Sequence, residues 1–222
     1  MDNATPFGIY RKVVLIAIMI LTANTNFFAQ NLDEFSSDRE EAFSNIIALK
    51  NGNLIVRLKS QDRKIMAYRA AGNKKFADKL ERELKEFNEK LVDAFVQNYT
   101  FSNVYFIYPN DYELVRNEIA SGYFLNENLE VDSSIVVSFN SSYFFCEYGP
   151  VYAETLENSN KSRRKIVTDT PMQQDALVIK DYSLTQLISP FPNYVSIRLK
   201  EMDKVVEKMN NRLYNFHATA TQ

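Results

Sequence analysis

One cysteine, one histidine and no tryptophan in 222 residues remove several chemistries at once. With Cys146 alone, the chain cannot close an internal disulfide, so its apolar core must hold it together. With His217 alone, near the C-terminus, a histidine-built zinc site and a histidine-rich active centre are excluded by count. The five glycines never cluster, so there is no Gly-rich phosphate loop. No Gly-x-Ser-x-Gly elbow and no Cys-x-x-Cys pair occurs. An excess of either charge is missing too. The formal net charge is −2, which leaves no electrostatic footprint for nucleic acid. Nothing in the pattern calls for a cofactor or a metal.

Long apolar runs are scarce, and the one present is informative. Arg11 and Lys12 precede Val13-Val-Leu-Ile-Ala-Ile-Met-Ile-Leu21, and Phe27-Phe28-Ala29-Gln30 follows. This is the layout of a secretory signal peptide. A membrane anchor needs about 20 apolar residues. The run is shorter, and Asn24 and Asn26 interrupt its continuation. Cleavage after Ala29 is the expectation. An uncleaved anchor is the alternative, because Phe27 departs from the small residue favoured two positions before the cut. The Phe-Phe-Ala-Gln phrase resembles cleavage regions of exported Gram-negative proteins, which implies a periplasmic or secreted location. No cysteine lies close after the run, so a lipid anchor is not expected. No later segment is long enough to give a stable transmembrane span. Residues 30–222 are then expected to form one domain of ordinary size.

Aromatic residues are abundant, with 16 Phe and 13 Tyr, and they predict an aromatic core. Ala42, Phe43, Ile46, Ile47 and Leu49 mark a first helix, which Asn51-Gly52 stops through the left-handed cap that glycine tolerates. Asn53–Leu58 reads as a strand. A helical hairpin follows, with a short arm at 61–71, a break at Gly72-Asn73 and a long arm from Lys74 to Tyr99. Phe76, Leu80, Leu84, Phe87, Leu91 and Phe95 form its apolar stripe. Leu84→Asp is therefore expected to destabilise by several kcal/mol.

Asn103–Tyr108 reads as a buried strand, followed by a helix over 112–120. Ser134–Ser138 and Tyr143–Glu147 read as an antiparallel pair, the second ended by Gly149-Pro150. Residues 154–174 are polar and basic and read as a long exposed loop with an edge strand near 166–168. Asp175–Ile179 is the last strand. An amphipathic helix then runs from about Val195 to Phe216. The order predicts a layered α/β domain with a mixed sheet of about five strands. The long helical hairpin joins the first two strands, and an amphipathic helix closes the chain.

Leu49-Lys-Asn-Gly52, Val56-Arg-Leu58 and Gly72-Asn-Lys-Lys-Phe-Ala-Asp-Lys-Leu80 together resemble segments of an uncharacterised family of exported bacterial proteins. The resemblance covers under half the chain and implies no activity.

Candidate sites follow from strand ends. In open α/β sheets, ligands bind outside the carboxyl ends of parallel strands. Asp111 and Asp181 each follow a predicted strand, with Tyr112 and Tyr182 beside them. If those strands are parallel neighbours, the two carboxylates could act as general acid and base, or bind a hard cation through oxygen. The bland alternative is that each Asp caps a turn. Arg163, Arg164 and Lys165, with Lys161, form a basic cluster that could bind an anionic partner or be a solvated loop. Cys146 sits among Phe144, Phe145 and Glu147 and reads as a buried, inert thiol. The amphipathic helices could also pair two copies into a homo-oligomer. The leading expectation is an exported binding or interaction module for an envelope component or small molecule. The alternative is a small hydrolase or transferase using Asp111 and Asp181.

Overall fold

The computed structural model describes residues 37–158, 163–196 and 201–222. The predicted signal segment, 1–29, lies outside the described residues, as does Lys161. A helix at 37–51, α1, leads into β1 (Asn53–Arg57). The hairpin of α2 (Asp62–Ala70) and α3 (Lys74–Asn98) connects β1 to β2 (Asn103–Ile107). A 3-10 turn at Pro109–Asp111 and the short α4 (Tyr112–Arg116) follow. Then come β3 (Tyr143–Asn158), β4 (Arg163–Lys180), β5 (Tyr194–Ser196) and α5 (Met202–Ala220).

The five strands form one mixed sheet in the order β2-β1-β3-β4-β5. β1 pairs parallel with both β2 and β3, while β4 is antiparallel to β3 and to β5. The predicted layered α/β architecture is what forms. Strand alternation sorts the side chains. Leu54, Val56, Phe144, Cys146, Leu177 and Ile179 face a core completed by α1, α3 and α5. Ile55, Ile107 and Phe145 face the other way, where Val115, Tyr123, Phe124 and Val137 cover them. The second face is thus closed by α4 and irregular chain rather than by a layer of long helices.

Several local readings change. Residues 134–138 carry β-formers yet are not a strand. Val137 is buried and Val136 is exposed, so the residues alternate between core and solvent without joining a ladder. β1 already has β3 on that side, from Asn53↔Tyr143 to Arg57↔Glu147. β-Propensity reports fit to a half-buried surface, and fit alone does not supply a pairing partner. The supposed loop at 154–174 is instead the outer part of a long β3–β4 hairpin, paired from Tyr152↔Pro171 to Asn158↔Arg163. Gly149-Pro150 does not end β3. Register shifts between Pro150 and Tyr152, and between Tyr152 and Glu154, absorb the interruption. The C-terminal helix begins at Met202, and Val195 belongs to β5. The helix after β2 is short, ending at Arg116 rather than near residue 120.

Gly52 has a different role from the expected helix cap. Its φ is not positive, and a Cβ built on it would lie 2.0 Å from the carbonyl oxygen of Ser142. It is needed for space, because the Asn53 amide donates to that carbonyl at 3.0 Å. Gly72, at φ +77, does supply the left-handed turn between α2 and α3.

The α3 stripe is also only partly core. Leu91 and Phe95 are buried, Leu84 and Phe87 are half-buried, and Phe76 is 61 % exposed. The first half of α3 leaves the body of the protein with α2.

Candidate functional site

β1 and β2 run parallel and end side by side, at Arg57 and Ile107. Beyond those ends the chain must turn away in two directions, into α2 and into the 3-10 turn. A cleft of about 810 Å³ opens between them. Its walls include Lys59, Ser60 and Asp62 after β1, Tyr108, Asn110 and Asp111 after β2, and Glu81, Arg82, Lys85 and Asn88 from α3. The volume is in the range of small-molecule sites.

Asn88 holds this cleft together. It is buried, its Nδ2 donates to the Lys59 carbonyl at 2.9 Å, and its Oδ1 accepts from the Lys59 amide at 3.0 Å. The side chain therefore replaces a strand partner just where β1 stops. Lys59 is aimed by aromatics: its Nζ lies 3.7 Å from the Tyr148 ring centroid and 4.6 Å from that of Phe87. Burial pulls the Lys59 ammonium below its ordinary pKa, and the carboxylate of Asp175 opposes that shift. Tyr148 donates to the same Asp175 at 3.2 Å. Burial also pushes the Asp111 carboxyl above its ordinary pKa, against a backbone hydrogen bond at Tyr108.

Asp111 is thus at the cleft, as strand-end reasoning suggested. Asp181 is elsewhere. β2 and β4 are not neighbours, since β1 and β3 lie between them, and they run in opposite directions. Their carboxyl ends therefore point to opposite ends of the sheet, and the shared edge required for a carboxylate pair does not form. Asp181 Oδ1 accepts from the amides of Ser183 and Thr185, at 2.8 and 2.9 Å, and from the Ser183 hydroxyl at 2.7 Å. This is a turn cap that occupies the acceptor.

The two tyrosines do meet. The Tyr112 hydroxyl donates to the Tyr182 carbonyl at 3.1 Å. The Tyr112 ring lies 5.5 Å from the Arg57 guanidinium and 5.4 Å from the ring of Phe145. Beneath it, Glu147 bridges Arg57 through Oε2 and Lys180 through Oε1. Arg57 Nε is buried without a hydrogen-bond partner.

Arg163 and Arg164 occupy the start of β4. Lys165 is tied into the fold: its Nζ donates to the Ser189 carbonyl at 3.1 Å and to the Ser189 hydroxyl at 2.9 Å. Glu154 receives the Ser189 amide and hydroxyl from the other side, at 3.0 and 2.8 Å. A lysine so engaged is a strut of the long hairpin. Cys146 is fully buried, and burial drives its thiol well above the ordinary range, which suits an inert core residue.

No family model, curated protein or solved structure compared with the chain matches it. The chemistry must therefore be read from the cleft. Among the described residues, no group of three His, Cys, Asp or Glu is placed to hold a metal ion. Among the described residues, no helix is long and apolar enough to cross a membrane. The cleft holds both signs of charge, amide and phenol donors, and apolar floor from Ile65, Leu84 and Leu129. That set can bind and orient a polar molecule through hydrogen bonds and paired charges. Sequence reasoning found Asp111 but missed Lys59 and Asn88. Asn88 is one of three uncharged polar residues in α3, with Gln97 and Asn98, and only its contact with Lys59 reveals its role.

Proposed function

We propose that this protein is an exported envelope module that binds a small polar ligand in the cleft at the carboxyl ends of β1 and β2. The observation that carries the reading is the cleft itself. It is sized for a small molecule, lies where parallel strands present their ends, and is braced by the Asn88 clamp. Arg82 and Lys85 line the same cavity as Asp62, Asp78, Glu81 and Asp111. A ligand bearing both an acidic and a basic group, such as an amino acid, a short peptide or an amino sugar, complements that distribution. Export rests on the charged and apolar pattern of residues 11–30. N-terminal sequencing of the protein recovered from cells should begin at Gln30. Recovery of the intact N-terminus would refute cleavage.

The binding test is a thermal-shift panel of amino acids, dipeptides and amino sugars. At least one class should raise the melting temperature, and Arg82→Gln combined with Asp111→Asn should abolish that rise. A panel without effect, or a rise that survives both substitutions, would overturn the cleft assignment.

A further inference from the structure

The end of the helical hairpin farthest from the sheet has a chemistry unlike the rest of the chain. We propose that the tip of the α2–α3 hairpin docks this protein on an anionic phospholipid surface. Residues 62–79 carry six basic and two acidic side chains, in a chain whose formal net charge is −2. Arg63, Lys64, Lys74 and Lys75 are exposed. Among the described residues they enter no ion pair, whereas Arg69 and Lys79 reach Glu81 and Glu83 at 2.6 and 3.6 Å. Lys74 and Lys75 directly follow the turn at Gly72, and Arg63 and Lys64 extend the free positive charge along α2, about two helical turns back from it.

Large apolar side chains stand among these cations. Phe76 is 61 % exposed and Met66 is 59 % exposed, and the Tyr68 ring lies 6.1 Å from that of Phe76. Exposed apolar side chains on a hairpin that also carries free cations match the requirements of a bilayer interface. The rings and thioether enter the acyl boundary while the lysines stay among phosphates. Each cation near such a surface contributes about 1 kcal/mol. Charge complementarity selects this occupant over a second copy of the chain, which would bring an identical set of cations against the first. The proposal does not depend on the cleft having a ligand.

The test places a reporter at the tip, so that residues 1–36 cannot mimic the result. Asn73 is exposed and its side chain makes no cap hydrogen bond. Cys146 is buried. An environment-sensitive dye on Asn73→Cys in the full chain therefore labels the turn selectively. Vesicles of phosphatidylglycerol and phosphatidylethanolamine should brighten and blue-shift the dye, and about 0.5 M salt should reverse the change. Phosphatidylcholine vesicles should leave it unchanged. Lys74→Glu with Lys75→Glu should weaken the response about thirtyfold in lipid concentration. Phe76→Ser should weaken it several-fold with an unaltered melting curve, and it carries the test if the charge-reversed variant does not fold. An unresponsive dye, an equal response to phosphatidylcholine, or a response indifferent to Phe76→Ser would overturn the proposal. So would a dimer that Phe76→Ser dissociates without any vesicle response, which would assign the patch to a second copy.

Discussion

Asn88 of α3 grips the backbone of Lys59 from both sides, accepting from its amide at 3.0 Å and donating to its carbonyl at 2.9 Å. A backbone leaving a strand loses its ladder partners, and the two groups must find others or meet water. Here one buried amide side chain satisfies both and fixes the direction in which β1 enters the cleft. Asn88→Ala is expected to cost about 2 kcal/mol, because it strands two backbone groups that cleft water only partly rehydrates. Urea denaturation measures this directly, and an unchanged midpoint would show that the clamp is incidental.

The two halves of α3 should respond differently to substitution. Leu91 is fully buried, so Leu91→Ala should cost about 3 kcal/mol through lost transfer energy and a residual cavity. Leu84 is half-buried on the cleft wall, so Leu84→Asp should cost less than about 1 kcal/mol. The several-kcal/mol loss expected from the stripe alone does not apply there. Equal losses at both positions in parallel melting experiments would contradict the placement of the hairpin.

Glycine replacements separate space from conformation. Gly52→Ala would drive a Cβ into the backbone oxygens of Ser142 and Ala48, at 2.0 and 2.8 Å, and should destabilise by about 2–4 kcal/mol. Gly149 has nothing within 4 Å of such a Cβ and no positive φ. Gly149→Ala should therefore be neutral or stabilise by about 0.5 kcal/mol through the unfolded chain. Guanidinium unfolding of the two variants checks both, and a destabilised Gly149→Ala would refute the open space around β3.

Stability should fall in alkali for a specific reason. Burial raises the Cys146 thiol and the Tyr99 hydroxyl well above their ordinary values of 9.0 and 10.0. Above those ordinary values the unfolded chain loses protons that the native protein keeps. The unfolded state then binds fewer protons, and the unfolding free energy declines with rising pH. The limiting slope is about 1.4 kcal/mol per pH unit per group. Denaturation midpoints from about pH 8 to about pH 11 should decline first near 9 and more steeply above 10. Cys146→Ala should remove the first phase. A profile flat to about pH 11 would exclude this linkage.

Much of the layering is local in origin and was legible in advance. The long arm of the hairpin, the Gly72 break and the strands at 53–57 and 103–107 all rest on near-neighbour periodicity. So does the C-terminal amphipathic helix. The β3–β4 hairpin was not legible, because its polar outer strands satisfy each other across the ladder rather than by burial. Asp111 was found as a strand-end residue. Its supposed partner Asp181 was not excluded until strand order and direction were known.

What the amino-acid sequence determines by itself is a small set of counts and local periods. Internal disulfides and histidine metal centres are impossible, the fold is α/β, and two striped helices accompany a sheet. Helix stripes and strand composition depend on residues a few positions apart, so they survive without knowledge of the rest of the chain. What the tertiary structure decided is which strand ends lie together, which half of α3 is core, and which polar side chains serve the backbone. Those depend on pairings between distant residues, such as Asn88 with Lys59, 29 positions apart, and Glu147 with Arg57, 90 apart. No local pattern encodes them, because the energy of each contact exists only once the sheet order has brought its partners together.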